Sequence, residues 1–457
     1  MKKTFRFLSM AALLVVGAIM TGCSNEDNID NQQPANNDNV VTLTATVSLD
    51  GGAQTRAITP STGVKTFESG NQIAVIYKNT SSQTVKAVST DFTPTGDNTK
   101  ATFTVTLTNP ASSSAIRYIY PATRATDVAT DATITDDAAT IDYTGLLGNQ
   151  DGKLATLGTN YDLAVFDGSL SGTDLPASAS LENPLAICKF TLTDGSTGIT
   201  SSVTSLNVSD GTNTYHVIPS GLSEIYVAMK PTTGKIAFTA ATGSKTYFKT
   251  ATGTTLTAST LYTNITVSMT ELARGSVICS DGSVYASKDA ATSATKTPVA
   301  MIAFVGSDNG ESAPYNHGLA LAMSDAGGGS YFKWRTSNTD AGHTKQGSSS
   351  FTSESGLQYN ATHDIAEYPA FQAAIANNST AAPTGCSAWF LASGYQWTKM
   401  FASDAGGLKT LAGLESHPYW SSSERAAGSA WGFNSDYGVW SGGSKDYGNL
   451  VRACLAF

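Results

Sequence analysis

The chain has 457 residues, which is enough for roughly two to four domains that each bury a core. Only 14% of the residues are charged, against about 25% in an average soluble protein, and the abundance of small polar residues favours exposed β-structure over long helices. The formal net charge of −9 excludes the basic surface that nucleic-acid binding requires, so we expect no nucleic-acid partner.

Residues 1–22 have the layout of a secretory signal: a basic head, then an almost wholly apolar run from Met10 to Met20. That run is too short to span a bilayer, which takes ~20 apolar residues. The five residues from Ile19 to Cys23 resemble a bacterial lipobox, in which the cysteine carries the lipid. We therefore expect export, with Cys23 anchoring the chain in the outer membrane. The alternative is an ordinary signal peptide with a chance cysteine.

The next two segments differ sharply in hydropathy. Residues 23–39 contain one large apolar side chain, and we expect them to form a disordered tether. Beyond them Val41, Leu43, Val47 and Leu49 occur at odd positions among Thr and Ser, which predicts a strand with one buried face. Burial of each of these side chains would stabilise the fold by ~1.5–3 kcal/mol.

Similar alternating runs recur without a helix of note between them. The runs cover residues 72–77, 101–107, 116–120, 188–192, 203–208, 224–229, 236–240, 245–249 and 261–269. Turn residues separate the runs at spacings that are typical of β-sandwiches. We therefore predict two all-β units, residues 40–165 and 166–270.

Residues 271–457 differ in composition, because all six tryptophans and four of the five histidines lie after residue 310. Pro369 suits a first helical turn, and Tyr368, Phe371 and Ile375 would share a helix face. A second helix is predicted after residue 393, where Ser393 and Gln396 have capping-box spacing. Short strands follow, so we expect an α+β domain.

Cysteine and histidine spacing argues against a redox or metal centre. There is no CxxC, HxH or HExxH motif, and Gly-x-Ser-x-Gly is also missing. We expect no catalysis, no cofactor and no metal. Cys386 and Cys454 lie in two strand-like runs of one segment, and we expect a disulfide between them, with two free thiols as the alternative.

Two tryptophans are candidates for ligand binding. Trp420 and Trp440 lie near turns rich in Gly and Ser, where an aromatic ring can stack on a ligand or complete a core. Trp389 and Trp397 are predicted to lie in a strand and on a helix face, so we assign them to the core.

Residues 40–270, together with the lipobox, resemble the fimbrillin family of surface lipoproteins. The matching strand patterns are Phe190-Thr191-Leu192-Thr193, Ile225-Tyr226-Val227-Ala228, Tyr247-Phe248-Lys249 and Leu261-Tyr262. The resemblance implies two transthyretin-like β-sandwiches and assembly into pili. It also implies cleavage between Arg56 and Ala57, which releases the first strand and leaves a groove for another pilin subunit's donor strand. Alternatively, Arg56 is a solvated loop residue, and Arg124 offers the same local motif.

Residues 275–457 resemble a C-type-lectin-like domain of the kind shared with formylglycine-generating enzymes. The most specific stretches are Tyr419-Trp420-Ser421-Ser422-Ser423-Glu424 and Val451-Arg452. The Glu-Pro-Asn and Trp-Asn-Asp triplets of calcium-dependent lectins are absent, as is the cysteine pair of the enzymes. The resemblance therefore implies the scaffold and no particular ligand.

The sequence thus predicts a mainly β protein, with two sandwiches followed by an α+β domain. We expect a non-enzymatic adhesive component of fimbriae at the cell surface, whose last domain binds an unknown surface ligand. A tip or accessory position is favoured because the last strand closes the lectin-like domain. The alternatives are a tethered glycan or protein binder that never polymerises and, least favoured, an enzyme on a formylglycine-type scaffold.

Overall fold

The computed structural model describes residues 39–49, 66–96, 98–148, 150–161, 163–347, 351–402 and 405–457. The predicted lipidation site Cys23 and the predicted cleavage site between Arg56 and Ala57 lie outside these residues. No helix in the described ranges combines the length and the apolar character needed to cross a membrane. The mainly β class predicted from the sequence is confirmed.

The first sandwich consists of two four-stranded sheets around one core. One sheet has the order β4-β5-β1-β8 and the other β3-β2-β6-β7. Its strands are β1 (Val40–Ser48), β2 (Ala74–Lys78), β3 (Thr84–Val88), β4 (Thr93–Thr95), β5 (Lys100–Thr108), β6 (Ala115–Tyr120), β7 (Ala164–Ser169) and β8 (Ser178–Ser180). Edge-to-face aromatic contacts, such as those of Phe67 with Phe92 and of Phe103 with Tyr118, fill the space between the sheets.

The boundary expected at residue 165 is wrong, because β7 and β8 complete the first sandwich. Between β6 and β7 the chain first forms α1 (Asp137–Thr140), which packs on the first sandwich through an ion pair between Asp137 and Arg117 of β6. It then reaches the second sandwich with α2 (Leu154–Asn160). Leu157 of α2 belongs to the second core. The Gln150 side chain also bonds the backbone of Ala228 in both directions, each at 2.9 Å. The alternation of side chains within a single strand cannot predict that a connecting segment packs against the other sandwich.

The second sandwich is an eight-stranded sheet folded over its own core. The path runs β10-β9-β16-β15-β14-β11-β12, and β13 pairs with β9. The strands are β9 (Ala186–Asp194), β10 (Thr197–Gly198), β11 (Val203–Ser209), β12 (Thr214–Val217), β13 (Ile225–Met229), β14 (Thr232–Thr242), β15 (Lys245–Leu256) and β16 (Thr260–Glu271). Cys188, Phe190 and Leu192 share its buried face, as their alternation predicts.

The C-terminal region has a six-stranded sheet in the order β18-β17-β19-β20-β27-β22, a three-stranded sheet β23-β24-β25 and the pair β21-β26. The strands are β17 (Val277–Cys279), β18 (Val284–Tyr285), β19 (Pro298–Val305), β20 (Gly318–Ala322), β21 (Phe332–Lys333), β22 (Phe390–Leu391), β23 (Pro418–Ala426), β24 (Ser429–Asn434), β25 (Val439–Ser444), β26 (Gly448–Asn449) and β27 (Ala453–Ala456). The helices are α3 (Lys288–Ser293), α4 (Gly356–His363), α5 (Pro369–Ala376), α6 (Gly394–Phe401) and α7 (Ala405–Ala412).

Both helix starts expected in this region are confirmed. Pro369 begins α5. Ser393 and Gln396 form a reciprocal capping box at the start of α6. The buried face of α5 differs from the prediction at one position. Ile375 is half-buried, and Ala374 is buried in its place.

The second sandwich and the C-terminal region share a packed junction. Phe248 of β15 joins the core that lies on one face of the six-stranded sheet. His317, which precedes β20, places Nε2 2.9 Å from Ser205 Oγ, and the Asn207 amide donates to the Pro314 carbonyl. Burial lowers the pKa of His317 to about 4, so this contact suits a neutral imidazole.

Candidate functional site

The predicted displaced strand, β1, lies inside a sheet rather than on its outer surface. It pairs antiparallel with β5 over its whole length, from Val40 opposite Thr108 to Ser48 opposite Lys100. On its other side it pairs in parallel with β8, but only from Thr46 to Ser48. Among the residues that the structure describes, the first half of β1 therefore has no strand on its second edge, whereas the second half is enclosed.

Burial of the inward side chains increases along β1. Val47 is fully buried, and Ala45 and Leu49 are each 3% exposed. Val41 and Leu43 are only half-buried. The predicted buried face therefore holds for Val47 and Leu49 and only in part for Val41 and Leu43, which lie in the half of β1 that does not pair with β8.

The outward face of β1 is held by threonine hydroxyls. The Oγ1 atoms of Thr42 and Thr106 lie 3.2 Å apart, and those of Thr44 and Thr104 lie at the same separation. Such cross-strand pairs stabilise a sheet by about 0.2–1 kcal/mol each. Both pairs are exposed to solvent, so the strongly held part of β1 is its inner face near residues 45–49.

Loss of β1 would uncover a slot lined by core residues. On β5, Phe103 stands opposite Ala45, and Ala101 stands opposite Val47. Both are buried in the intact sandwich. The backbone edge of β5 would lose its partner along nine register positions. An unpaired strand beside exposed apolar side chains is a site at which another strand can add.

The alternative processing site at Arg124 lies in a short hydrogen-bonded turn. Its backbone N–H donates to the Pro121 carbonyl at 2.9 Å, and its carbonyl accepts from Asp142 at 2.7 Å. The turn spans Ala122–Arg124. A protease that requires extended backbone would have to break these bonds before it could cut there.

Trp420 is a core residue and not part of a ligand site. It is fully buried in β23, and its indole N–H donates to the Phe332 carbonyl at 2.7 Å. The expectation that it lies near an exposed turn is therefore wrong. Trp440 is half-buried in β25, where it packs on Phe351 and Phe433. Trp389 and Trp397 are buried, in agreement with their assignment to the core.

The remainder of the Tyr-Trp-Ser-Ser-Ser-Glu stretch is also internal. Ser423 Oγ donates to Glu354 Oε2 at 2.6 Å. Glu424 forms ion pairs with Lys345 and Lys445. Burial opposes ionisation of Glu424, but donors that include the Ala341 N–H hold its pKa below the usual value. This stretch therefore organises the centre of the C-terminal region and does not face a ligand.

The expected disulfide between Cys386 and Cys454 is not formed, and both thiols are free. Cys454 of β27 points into the core on one face of the six-stranded sheet, together with Met301. Cys386 packs against the core on the opposite face. A sheet separates the two sulfur atoms, and burial raises the pKa of both thiols.

The histidines of this region do not form a hydrolase triad. His343 Nε2 and His363 Nε2 lie 3.0 Å apart, and the His343 ring stacks on Tyr359 with a centroid separation of 3.9 Å. Burial lowers the pKa of His343 to about 4 and lowers that of His363 too. Among the described residues no group of three or more His, Cys, Asp or Glu is arranged to hold a metal ion.

No protein-family model matches the chain, and no curated protein matches it either. Several solved structures are similar. A fimbrial protein from Bacteroides ovatus is 14% identical, with 92% of this chain and 100% of that chain covered and a TM-score of 0.35. A fimbrial assembly protein from Parabacteroides distasonis is 8% identical over 49% of this chain and 90% of its own, with a TM-score of 0.27. The tip fimbrial protein Mfa3 from Porphyromonas gingivalis is 9% identical over 47% and 81%, with a TM-score of 0.22.

Proposed function

We propose that the protein is a structural and adhesive subunit of cell-surface fimbriae, and that its first sandwich accepts a donor strand from another pilin after β1 is released. The supporting observation is the position of β1 between β5 and β8, with its inner side chains in the core. Because β8 pairs only with Thr46–Ser48, release of the first half of β1 breaks its pairing with β5 alone, and only the second half must also leave β8.

The free energy of burial supports the proposal that a released β1 must be replaced by another strand. Val47 and Leu49 together contribute roughly 3–6 kcal/mol on burial, as an upper bound. A whole domain is stable by only about 5–15 kcal/mol. A first sandwich without β1 is therefore marginal, and a strand of similar alternation restores what was lost.

The location of the protein follows from the same proposal. The signal segment exports the chain, lipid on Cys23 holds it at the outer membrane, and cleavage after Arg56 frees the slot for assembly into a fimbrium. We assign the chain to a tip or accessory position, in which the first sandwich accepts a strand while β27 stays paired between β20 and β22. The C-terminal region then carries the contact with a surface ligand.

A strand-replacement experiment tests the slot. A chain that begins at Ala57 is purified and mixed with a synthetic peptide of residues 40–49. We expect the peptide to bind and to raise the unfolding temperature of the first sandwich. A matched peptide with Val47 and Leu49 replaced by lysine should do neither. If the shortened chain is as stable as the full chain and binds neither peptide, β1 is not an exchangeable strand.

A mass measurement separates polymerisation from permanent tethering. The mature protein from cells should begin at Ala57 if the strand is released. A lipidated Cys23 in the mature mass would instead favour the tethered binder, which uses the C-terminal region without assembling.

A further inference from the structure

The C-terminal region contains an open cavity of about 580 Å³, which we call the Tyr331 cavity. This volume is within the range of small-ligand sites, roughly 300–1,000 Å³. Its lining comes from the segment after β20, the segment before β23 and the segment before β27. The residues that the inference uses are Ser324, Asp325, Tyr331, Glu415, His417 and Arg452.

The floor of the Tyr331 cavity is electrically neutral and fixed. Arg452 Nε donates to Asp325 Oδ1 at 2.6 Å, and the Tyr419 hydroxyl donates to Asp325 Oδ2 at 3.1 Å. Three more guanidinium hydrogens of Arg452 are donated to the backbone carbonyls of Ala322, Ala412 and Gly413. The charge of Arg452 is therefore already paired with that of Asp325, which disfavours its use for an anionic ligand.

The rim carries an exposed tyrosine with a defined orientation. Tyr331 is 53% exposed, so one part of its ring is accessible to a ligand. Its ring lies edge-to-face with the His417 imidazole at a centroid separation of 5.7 Å. Behind it, a Cβ added to Gly448 would come within 2.9 Å of the Tyr331 Cβ, so residue 448 must be small for the ring to keep this place.

Three polar side chains beside this ring have unused hydrogen-bonding capacity. Within the part of the chain that the structure describes, the Glu415 carboxylate, the His417 ring and the Ser324 hydroxyl make no hydrogen bond. A second cavity of about 470 Å³ differs, because its Glu354 and Tyr359 side chains are bonded within the protein. The polar groups of the Tyr331 cavity therefore remain available to a ligand.

We propose that the Tyr331 cavity binds a neutral saccharide. The C–H face of a pyranose ring would stack on Tyr331, and its hydroxyls would bond Glu415, His417 and Ser324. The free carboxylate disfavours an anionic ligand, and the polar lining disfavours an apolar one. This inference adds a ligand class to the adhesive role proposed above. It rests on that role only for its biological meaning. It also moves the ligand site away from Trp420 and Trp440.

A glycan array tests the proposal with the full, uncleaved chain. The fluorescently labelled protein is applied to neutral and sialylated oligosaccharides, and the tightest neutral binder is then titrated against variants in solution. We expect Tyr331→Ala to weaken binding by about tenfold and Glu415→Gln to weaken it by about fivefold. Tyr437→Ala is the matched control, because Tyr437 is 77% exposed and does not line the cavity.

Each other outcome contradicts the proposal. The saccharide site is refuted if no oligosaccharide binds, if only sialylated oligosaccharides bind, or if both cavity variants bind like the unmodified chain. Thermal unfolding of each variant excludes misfolding as the cause of a loss. The array does not depend on β1, so a chain that binds saccharide but accepts no donor strand refutes the fimbrial assembly and leaves the Tyr331 cavity intact.

Discussion

The strands β1 and β27 are both apolar on their inner faces, yet the fold holds them in opposite ways. β1 has one full-length neighbour and one neighbour of three register positions, and two of its inward side chains are half-buried. β27 lies between β20 and β22, and all four of its residues are fully buried. The two strands thus differ in their neighbours more than in their own sequences, and this difference is the reason to propose that β1 and not β27 is exchanged.

The end of β27 is also held by hydrogen bonds other than its strand pairing with β20 and β22. The Phe457 carbonyl accepts from the His317 N–H at 2.7 Å, and Ser387 bonds Ala456 through both its backbone and its hydroxyl. A side chain at Gly318 would overlap the Phe457 ring. Withdrawal of this strand would therefore open the cores on both faces of the six-stranded sheet.

The largest effect is expected in β27. Leu455→Ala removes a fully buried side chain and should destabilise the C-terminal region by about 3–5 kcal/mol. Urea unfolding followed by tryptophan fluorescence measures this region alone, because all six tryptophans lie after residue 310. A loss below about 1 kcal/mol would mean that β27 is less tightly held than its burial indicates.

The junction beside β27 should lose stability in acid. The folded pKa of His317, about 4, is below its unfolded value of about 6.5, so the unfolded state takes up the proton first as pH falls. His317 should therefore contribute no pH dependence above pH 6.5, and its own contribution should lower stability by roughly 3 kcal/mol by pH 4. His317→Gln should flatten this decline when unfolding is followed by tryptophan fluorescence. An unchanged slope would contradict a neutral His317 in the fold.

A smaller effect is expected in the enclosed half of β1. Val47→Ala should weaken the first sandwich by about 2 kcal/mol, because the side chain is fully buried. Hydrogen exchange of peptides covering β1 and β5 reports this change without a tryptophan. If protection of β5 were unaltered, the inner face of β1 would not be part of the core.

The smallest effect is expected in the open half of the same strand. Val41→Ala should change stability by less than about 0.5 kcal/mol, because Val41 is half-buried and stands outside the core cluster. Hydrogen exchange of peptides covering β1 and β5 also measures this change. A loss of stability equal to that caused by Val47→Ala would contradict the increase in burial along β1.

Local patterns allowed the sequence to predict many of the elements. Alternation located β1 and the buried face with Cys188, and capping chemistry located the start of α6 at Ser393. These features depend on residues within one or two turns of each other, so the sequence contains the relevant information.

Features set by distant segments were mispredicted. Leu43 is half-buried in the half of β1 that does not pair with β8, some 130 residues later. The separation of Cys386 from Cys454 depends on which face of a sheet each residue takes. Trp420 lies near Gly and Ser, but Phe332 and β24 cover it. The position of Tyr331 could not be predicted from the sequence, because it depends on the close approach of Gly448, more than one hundred residues later.

Native-state hydrogen exchange in low denaturant measures the difference between β1 and β27 most directly. We predict that amides of residues 40–45 exchange through an opening of much lower free energy than amides of residues 453–456, which should require global unfolding of the C-terminal region. Equal opening free energies for the two strands would contradict the proposed exchange of β1, because β1 would then be held as firmly as β27.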